Sequence, residues 1–228
     1  METIGARLME NNKNTIFVLN NTEEISEVIN ALDFYSRIWI GQYLEIDNQM
    51  VWLKKELYKE NSREKVTPLL LIIRNRLLPD LSIGIGNILH ASYGIYSDQI
   101  NKRARIAYDM QQVISYTAAW YLHPEGGLGV DFGKPLPAED TIPLITATCF
   151  SHNKEIAMKV TFLDPLQWQI LKDAVAVLNC LYHGKIHDLF AYYTNDKVAL
   201  EIAKDVEKYY AGIANIEKLP EILVHFPE

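Results

Sequence analysis

Arg105 and Asp109 stand four residues apart, one helical turn, and Gln112 and Tyr116 follow at the next steps of the same face. An arginine holds an anion with two parallel N–H donors, a tyrosine stacks, and a glutamine reads an amide or base edge with one donor and one acceptor. Upstream, Ala91-Ser92-Tyr93-Gly94-Ile95-Tyr96 sets Tyr93 beside a glycine. Arg37 lies in an earlier helical stretch, and Asp131 and Lys134 stand in the loop Gly127-Leu128-Gly129-Val130-Asp131-Phe132-Gly133-Lys134-Pro135. A binding site drawn from Arg105, Asp109, Gln112, Tyr93, Arg37, Asp131 and Lys134 would suit a small anionic, nucleotide-like ligand. The plainer alternative is a polar surface, with Arg105 and Asp109 as an i,i+4 pair worth ~0.3–0.5 kcal/mol.

Other chemistry finds less support. Gly133-Lys134 is followed by Pro135 where a P-loop needs Ser or Thr, and the position five back is Leu128 instead of glycine. Gly84-Ile85-Gly86 is not completed by a third glycine at dinucleotide-binding spacing. His183 and His187 share a helical spacing, yet Gly184 interrupts it and no Glu follows the first His. There is no Gly-x-Ser-x-Gly elbow. Cys149 and Cys180 sit in core-like patterns, where a thiol is inert. No catalytic residue, metal or cofactor is therefore expected. A small hydrolase or transferase using Asp109, Asp131 and His123 is the enzymatic alternative.

Those residues must be held by a fold of modest size. The 228 residues are 49% hydrophobic and 22% charged, enough for a sizeable core in one compact domain. The net charge of −7 disfavours nucleic acid, because phosphate binding needs a basic face. Two cysteines without a framework suggest reduced thiols and a cytoplasmic location. The polar stretch from Met1 to Asn14 lacks a signal-peptide core, and the longest apolar run, Leu69 to Ile73, is too short for a bilayer.

Periodicity predicts an α+β fold, mostly helical, with a small antiparallel sheet. The sheet comprises a hairpin over about 142–163, turning at Ser151-His152-Asn153-Lys154, and a strand over about 15–19. A helix starts at about Thr22 and continues past Gly41 to Ile46, and a second stretch holds Met50, Leu53 and Leu57. Thr67-Pro68 reads as the start of a short helix ended by Pro79, because proline at a first position loses only an orphan donor. Lys102 to Leu122 is a helix with an apolar stripe of Ile106, Met110, Val113, Thr117 and Trp120. Its basic start, Lys102-Arg103 with Arg105, needs acidic compensation, for which Asp98 and Asp109 are at hand. Helices over about 165–182, 186–193 and 196–211 follow. Strand, polar cap and helix with a late glycine occur twice, over 15–42 and 158–185, with caps Asn21 and Asp164 and glycines Gly41 and Gly184 equally separated.

Leu32-Asp33-Phe34-Tyr35-Ser36-Arg37-Ile38 with Gly41-Gln42, Ala91-Ser92-Tyr93-Gly94-Ile95, Ala104-Arg105-Ile106-Ala107-Tyr108-Asp109 with Gln112-Val113-Ile114, and Val130-Asp131-Phe132 with Pro135 resemble, in the same order, a group of small bacterial, phage and prophage proteins without an assigned activity. The likeness covers roughly residues 15–135. It implies a mobile-element context and, by analogy, an anti-defence role. The expectation is a non-enzymatic binding protein, oligomeric, that captures a small anionic ligand or inhibits a host protein, with no nucleic acid or membrane partner. A structural interaction module acting through an exposed aromatic patch is the further alternative.

Overall fold

A computed structural model describes residues 14–53, 60–83, 91–152 and 155–214, with Val224 and Phe226. The backbone groups into two compact units. One comprises residues 1–36, 101–175 and 222–228, and the other residues 37–100 and 176–221. Expected Leu57 and most of the glycine-containing 82–94 stretch lie outside the described residues.

The first unit is built on three antiparallel strands: β1 (Thr15–Leu19), β2 (Thr146–His152) and β3 (Glu155–Phe162), in the order β1-β3-β2. Phe17 pairs with Val160, and Cys149 with Met158. Directly opposed residues share a face, so Phe17, Leu19, Met158, Val160 and Phe162 form one apolar side. All five are buried. Trp168 closes on that side, with its ring 5.3 Å from Phe17 and 5.4 Å from Phe162. Fully burying each such side chain is worth about 1.5–3 kcal/mol. Trp168 belongs to α6 (Pro165–Tyr182), which starts and stops where the sequence predicts.

Helix α5 (Lys102–Leu122) also keeps its predicted limits. The Asn101 side chain accepts the Arg103 N–H at 2.9 Å and caps the start. Arg103 donates to the Tyr35 hydroxyl at 3.0 Å and pairs with Asp173 of α6. The basic first turn is thus compensated by Asp173 and, through Arg105, by Glu139, two acids from later in the chain. Ile106, Met110 and Val113 of the predicted stripe are buried, whereas Trp120 is 39% exposed. The helix packs on β2, where the Cys149 thiol lies 3.9 Å from the Thr117 carbonyl.

The second unit is helical. It contains the end of α1 (Thr22–Trp39), then α2 (Leu44–Leu53), α3 (Glu60–Leu77) and α4 (Asp80–Ile83), the end of α6, then α7 (Ile186–Ala191) and α8 (Lys197–Ala214). Helix α3 packs on α2 and α8, and α7 packs on α8. The helix expected to continue past Gly41 stops at Trp39. Gly41 has φ +93°, and a Cβ there would meet Leu78 and Leu81 at 2.8 Å. Pro68 lies inside α3 instead of opening it. The burial of Val66, Leu70 and Ile73 accounts for the helix persisting through a residue that lacks a donor.

Strand, cap, helix and glycine turn recur at an offset of 143 residues, the separation of Phe17 from Val160. Phe17 therefore pairs with its own counterpart, and the pairs Thr15–Phe162 and Leu19–Met158 exchange under the same offset. In each copy a first-turn side chain reaches back four residues to a backbone N–H. Glu24 accepts from Asn20 at 2.7 Å, and Gln167 accepts from Leu163 at 2.9 Å. Each helix ends on a positive-φ glycine, Gly41 or Gly184. The flanking bonds also match, Gln42 N–H to the Arg37 carbonyl and Lys185 N–H to the Cys180 carbonyl.

Candidate functional site

Arg105 and Asp109 share one face of α5 and act on the same loop, but they are not each other's principal partners. The Asp109 carboxylate accepts the backbone N–H of Ala138 at 2.7 Å and that of Glu139 at 3.0 Å, one on each oxygen. Arg105 donates through Nε to the Glu139 carboxylate at 3.1 Å, and its Nη2 lies at the same distance. The other Glu139 oxygen accepts from the hydroxyl and the N–H of Thr141. Asp109 and Glu139 are both 5% exposed. Burial pushes the Asp109 carboxyl up to about 6, against the two N–H donors that lower it. The Thr141 hydroxyl first, and then the Arg105 guanidinium, hold Glu139 below the usual carboxylate range.

The arrangement is a latch. Both Asp109 carboxylate oxygens are engaged by backbone donors of the loop above them, and the side chain is 5% exposed, so it holds that loop in place. The cavity beside it has a volume of about 10 Å³, walled by Ile106, Met110, Ile142, Pro143, Ile145 and Gln167. That is room for about one water. Gln167 is spent as well, donating to the Pro143 carbonyl at 2.6 Å and accepting from Leu163 and Asp164.

Gln112 stands one turn beyond Asp109 and donates to the Gln111 side chain at 2.7 Å. Arg37 and Tyr93 belong to the second unit, where a short polar chain joins their segments. Arg37 donates to Gln42 at 3.0 Å, Gln42 reaches the Ser92 hydroxyl at 3.4 Å, and the Tyr93 N–H bonds to the Ile40 carbonyl at 2.9 Å. Partial burial, and then the Asp80 carboxylate, raise the Tyr93 phenol above its ordinary value. Buried Arg74 donates to the Ala91 carbonyl at 3.2 Å, so the 91–93 segment is fixed from two sides. The polar residues of the Ser-Arg and Ser-Tyr-Gly segments thus serve to hold two stretches of chain together.

Asp131 and Lys134 are exposed on the loop that follows α5. The chain matches no protein family, no curated protein and no solved structure. Among the described residues, no group of three or more His, Cys, Asp or Glu side chains gathers as a metal site would require, and no helix is long and apolar enough to cross a membrane.

That loop is the feature that the glycine pattern announced without revealing its use. Trp120 Nε1 donates to the Phe132 carbonyl at 3.2 Å, and the two rings meet edge to face at 5.5 Å. Gly127 lies so close to Phe132 that a Cβ would sit 2.5 Å from its ring, and Gly126 has φ +82°. A 3-10 turn over Val130–Phe132 completes the framework. Its inward side is therefore packed. Outward it presents Leu128, fully exposed, Val130 at 79% and Leu136 at 70%, next to Tyr121 and Leu122 at the end of α5. The same stretch of chain carries exposed Glu125, Asp131 and Asp140 against one lysine, Lys134.

Proposed function

We propose that this chain is a non-enzymatic binding protein whose target is another protein, engaged through the loop that follows α5. The observation that carries the reading is the contrast within that loop. A tightly constructed backbone offers its largest aliphatic side chains to water, and isolated soluble domains seldom expose such clusters without a use. A rigid presentation also lowers the entropy lost on binding. The acidic border fits a partner whose apolar recess is flanked by lysine or arginine. A host protein as target is in keeping with the resemblance to small phage and bacterial proteins. The alternative of a small anionic ligand loses support because Arg105 is engaged by Glu139. The hydrolase alternative loses support because Asp109 lies beneath its own loop.

The test is site-directed photo-crosslinking in a bacterial host, with p-benzoylphenylalanine replacing Leu128. The expected result is one discrete protein adduct. Excess unlabelled wild-type protein should compete it away, and the Leu128→Asp/Val130→Asp double variant should not. Native mass spectrometry with a nucleotide mixture supplies the opposing outcome. An intact nucleotide retained by the wild type and lost in Arg105→Ala would replace this reading with ligand capture. A chemically changed nucleotide would replace it with catalysis.

A further inference from the structure

Beside the loop lies a surface of different character. Strand β2 is bonded to β3 along one side only. Among the described residues, no backbone hydrogen bond reaches the other side of Thr146 to Ser151. Open edges of this kind usually carry a lysine, a proline or a bulge that deters pairing. Thr146-Ala147-Thr148-Cys149-Phe150-Ser151-His152 has none of these, and its side chains are half-buried or exposed. The uncharged stretch is longer than the strand, since no Asp, Glu, Lys or Arg occurs from Thr141 to His152.

Helix α5 extends the neutral zone. Ile106 and Met110 line the cavity with Ile142 and Ile145, and Thr117 meets Cys149, so helix and strand advance side by side in the same direction. From Gln111 to Leu122 the helix carries no charged residue, although Trp120, Tyr121 and Leu122 are exposed. Exposed helical faces elsewhere are charged, as on α8 with its Lys204–Glu201 and Lys208–Asp205 pairs. A chain of net charge −7 repels a second copy of itself over most of its surface. The β2–α5 seam offers a second copy a surface without opposing like charges.

We infer that β2 pairs antiparallel with β2 of a second copy, joining two three-stranded sheets across a two-fold axis. Full overlap of the strand places Cys149 on the axis, Ala147 opposite Ser151, and Thr148 opposite Phe150. An aromatic residue facing a β-branched one is a favourable cross-strand pair, and the symmetry supplies it twice. The seam shares the end of α5 with the border of the partner-binding loop, but Thr148 and Phe150 lie on β2, outside that loop, so a strand variant tests the pairing separately.

The experiment is analytical ultracentrifugation of the wild type and of the Thr148→Lys/Phe150→Lys variant, with hydrogen exchange read over β2. Both replaced side chains point away from the buried side of the sheet, so circular dichroism and melting temperature should remain those of the wild type. The wild type is expected at twice the 26.2 kDa of one chain, with β2 amides protected. The variant is expected at one chain mass, with those amides exchanging rapidly, because the symmetry sets lysines opposite lysines. A wild type that stays monomeric up to its solubility limit overturns the inference. So does a dimer that survives in the folded variant. If the variant misfolds, Thr148→Lys alone, which sets a lysine against Phe150 of the second copy twice across the axis, tests the same pairing with a smaller expected shift toward one chain mass.

Discussion

The two ends of α5 use the same helix in opposite ways. At its start three charges are engaged inward, and Lys102 alone is exposed: Arg103 on Tyr35 and Asp173, Arg105 on Glu139, Asp109 on two backbone N–H groups. At its end there are no charges, and aromatic and aliphatic side chains face water. The residue types that most suggest chemistry are thus the ones that hold the molecule together. The residue types that suggest core are the ones left available. Charged groups invite a functional reading because they are costly to bury. Here that same cost explains why each is matched so fully by donors or opposite charge.

The largest expected effect is at the closed end. Asp109→Ala leaves two backbone N–H groups without an acceptor under the 138–141 loop, at about 1–3 kcal/mol each. Urea unfolding should show a loss of about 4 kcal/mol, and Asp109→Asn, which keeps one acceptor, about half of that. The pH dependence comes next. A carboxyl whose folded value is raised to about 6 binds its proton more tightly in the fold than in the unfolded chain. Its contribution is fully present below about pH 4 and is lost as pH rises through about 6, a change of about 3 kcal/mol. Melting temperatures taken across that window should fall with this component in the wild type and lack it in Asp109→Asn.

Arg105→Ala strands the buried Glu139 carboxylate and should cost about 2 kcal/mol, less than a wholly buried pair because the guanidinium is partly solvated. A double-mutant cycle with Glu139→Gln should give a coupling energy well above that of a surface pair. Stability unchanged in Arg105→Ala would mean that the guanidinium is free for a ligand after all. At the open end, Gly127→Ala must displace the Phe132 ring and should cost about 1 kcal/mol, with Trp120 fluorescence shifting as its partner moves. Smallest of all, Leu128→Asp should change stability by less than about 0.5 kcal/mol while removing partner capture. An effect on stability as large as that of Asp109→Ala would show Leu128 to be packed and would erase the contrast.

Much of the fold was legible in the sequence. Helices α5 and α6 kept their predicted limits because each has a cap, an apolar stripe and a stop signal that agree. The hairpin was found from β-branched alternation, although β2 begins at Thr146, after the apolar run that starts at Ile142. Pro68 and Gly41 misled in opposite senses. Pro68 stands within a helix supported by its buried residues, and Gly41 breaks a pattern whose hydrophobic spacing continues across it. The partners in the latch were not legible. Glu139 lies 34 residues from Arg105, across a loop with no period, and Asp109 takes backbone donors that carry no signature in any side chain. The nearest signal was Glu139-Asp140-Thr141 itself, an acid with a hydroxyl two residues on.

The matched strands β1 and β3 have a consequence for how the chain reaches this fold. Two stretches that share a backbone path, a first-turn brace and a glycine exit have two almost equivalent slots to fill. Each segment can try the other's place, within one molecule or between two. What separates the slots is volume. Phe17 stands where its counterpart is Val160, and Leu19 where its counterpart is Phe162. A segment in the wrong slot leaves one gap, against Trp168, and one clash where the smaller counterpart belongs. The divergence of the two copies works as an address label, readable only once the rings begin to pack.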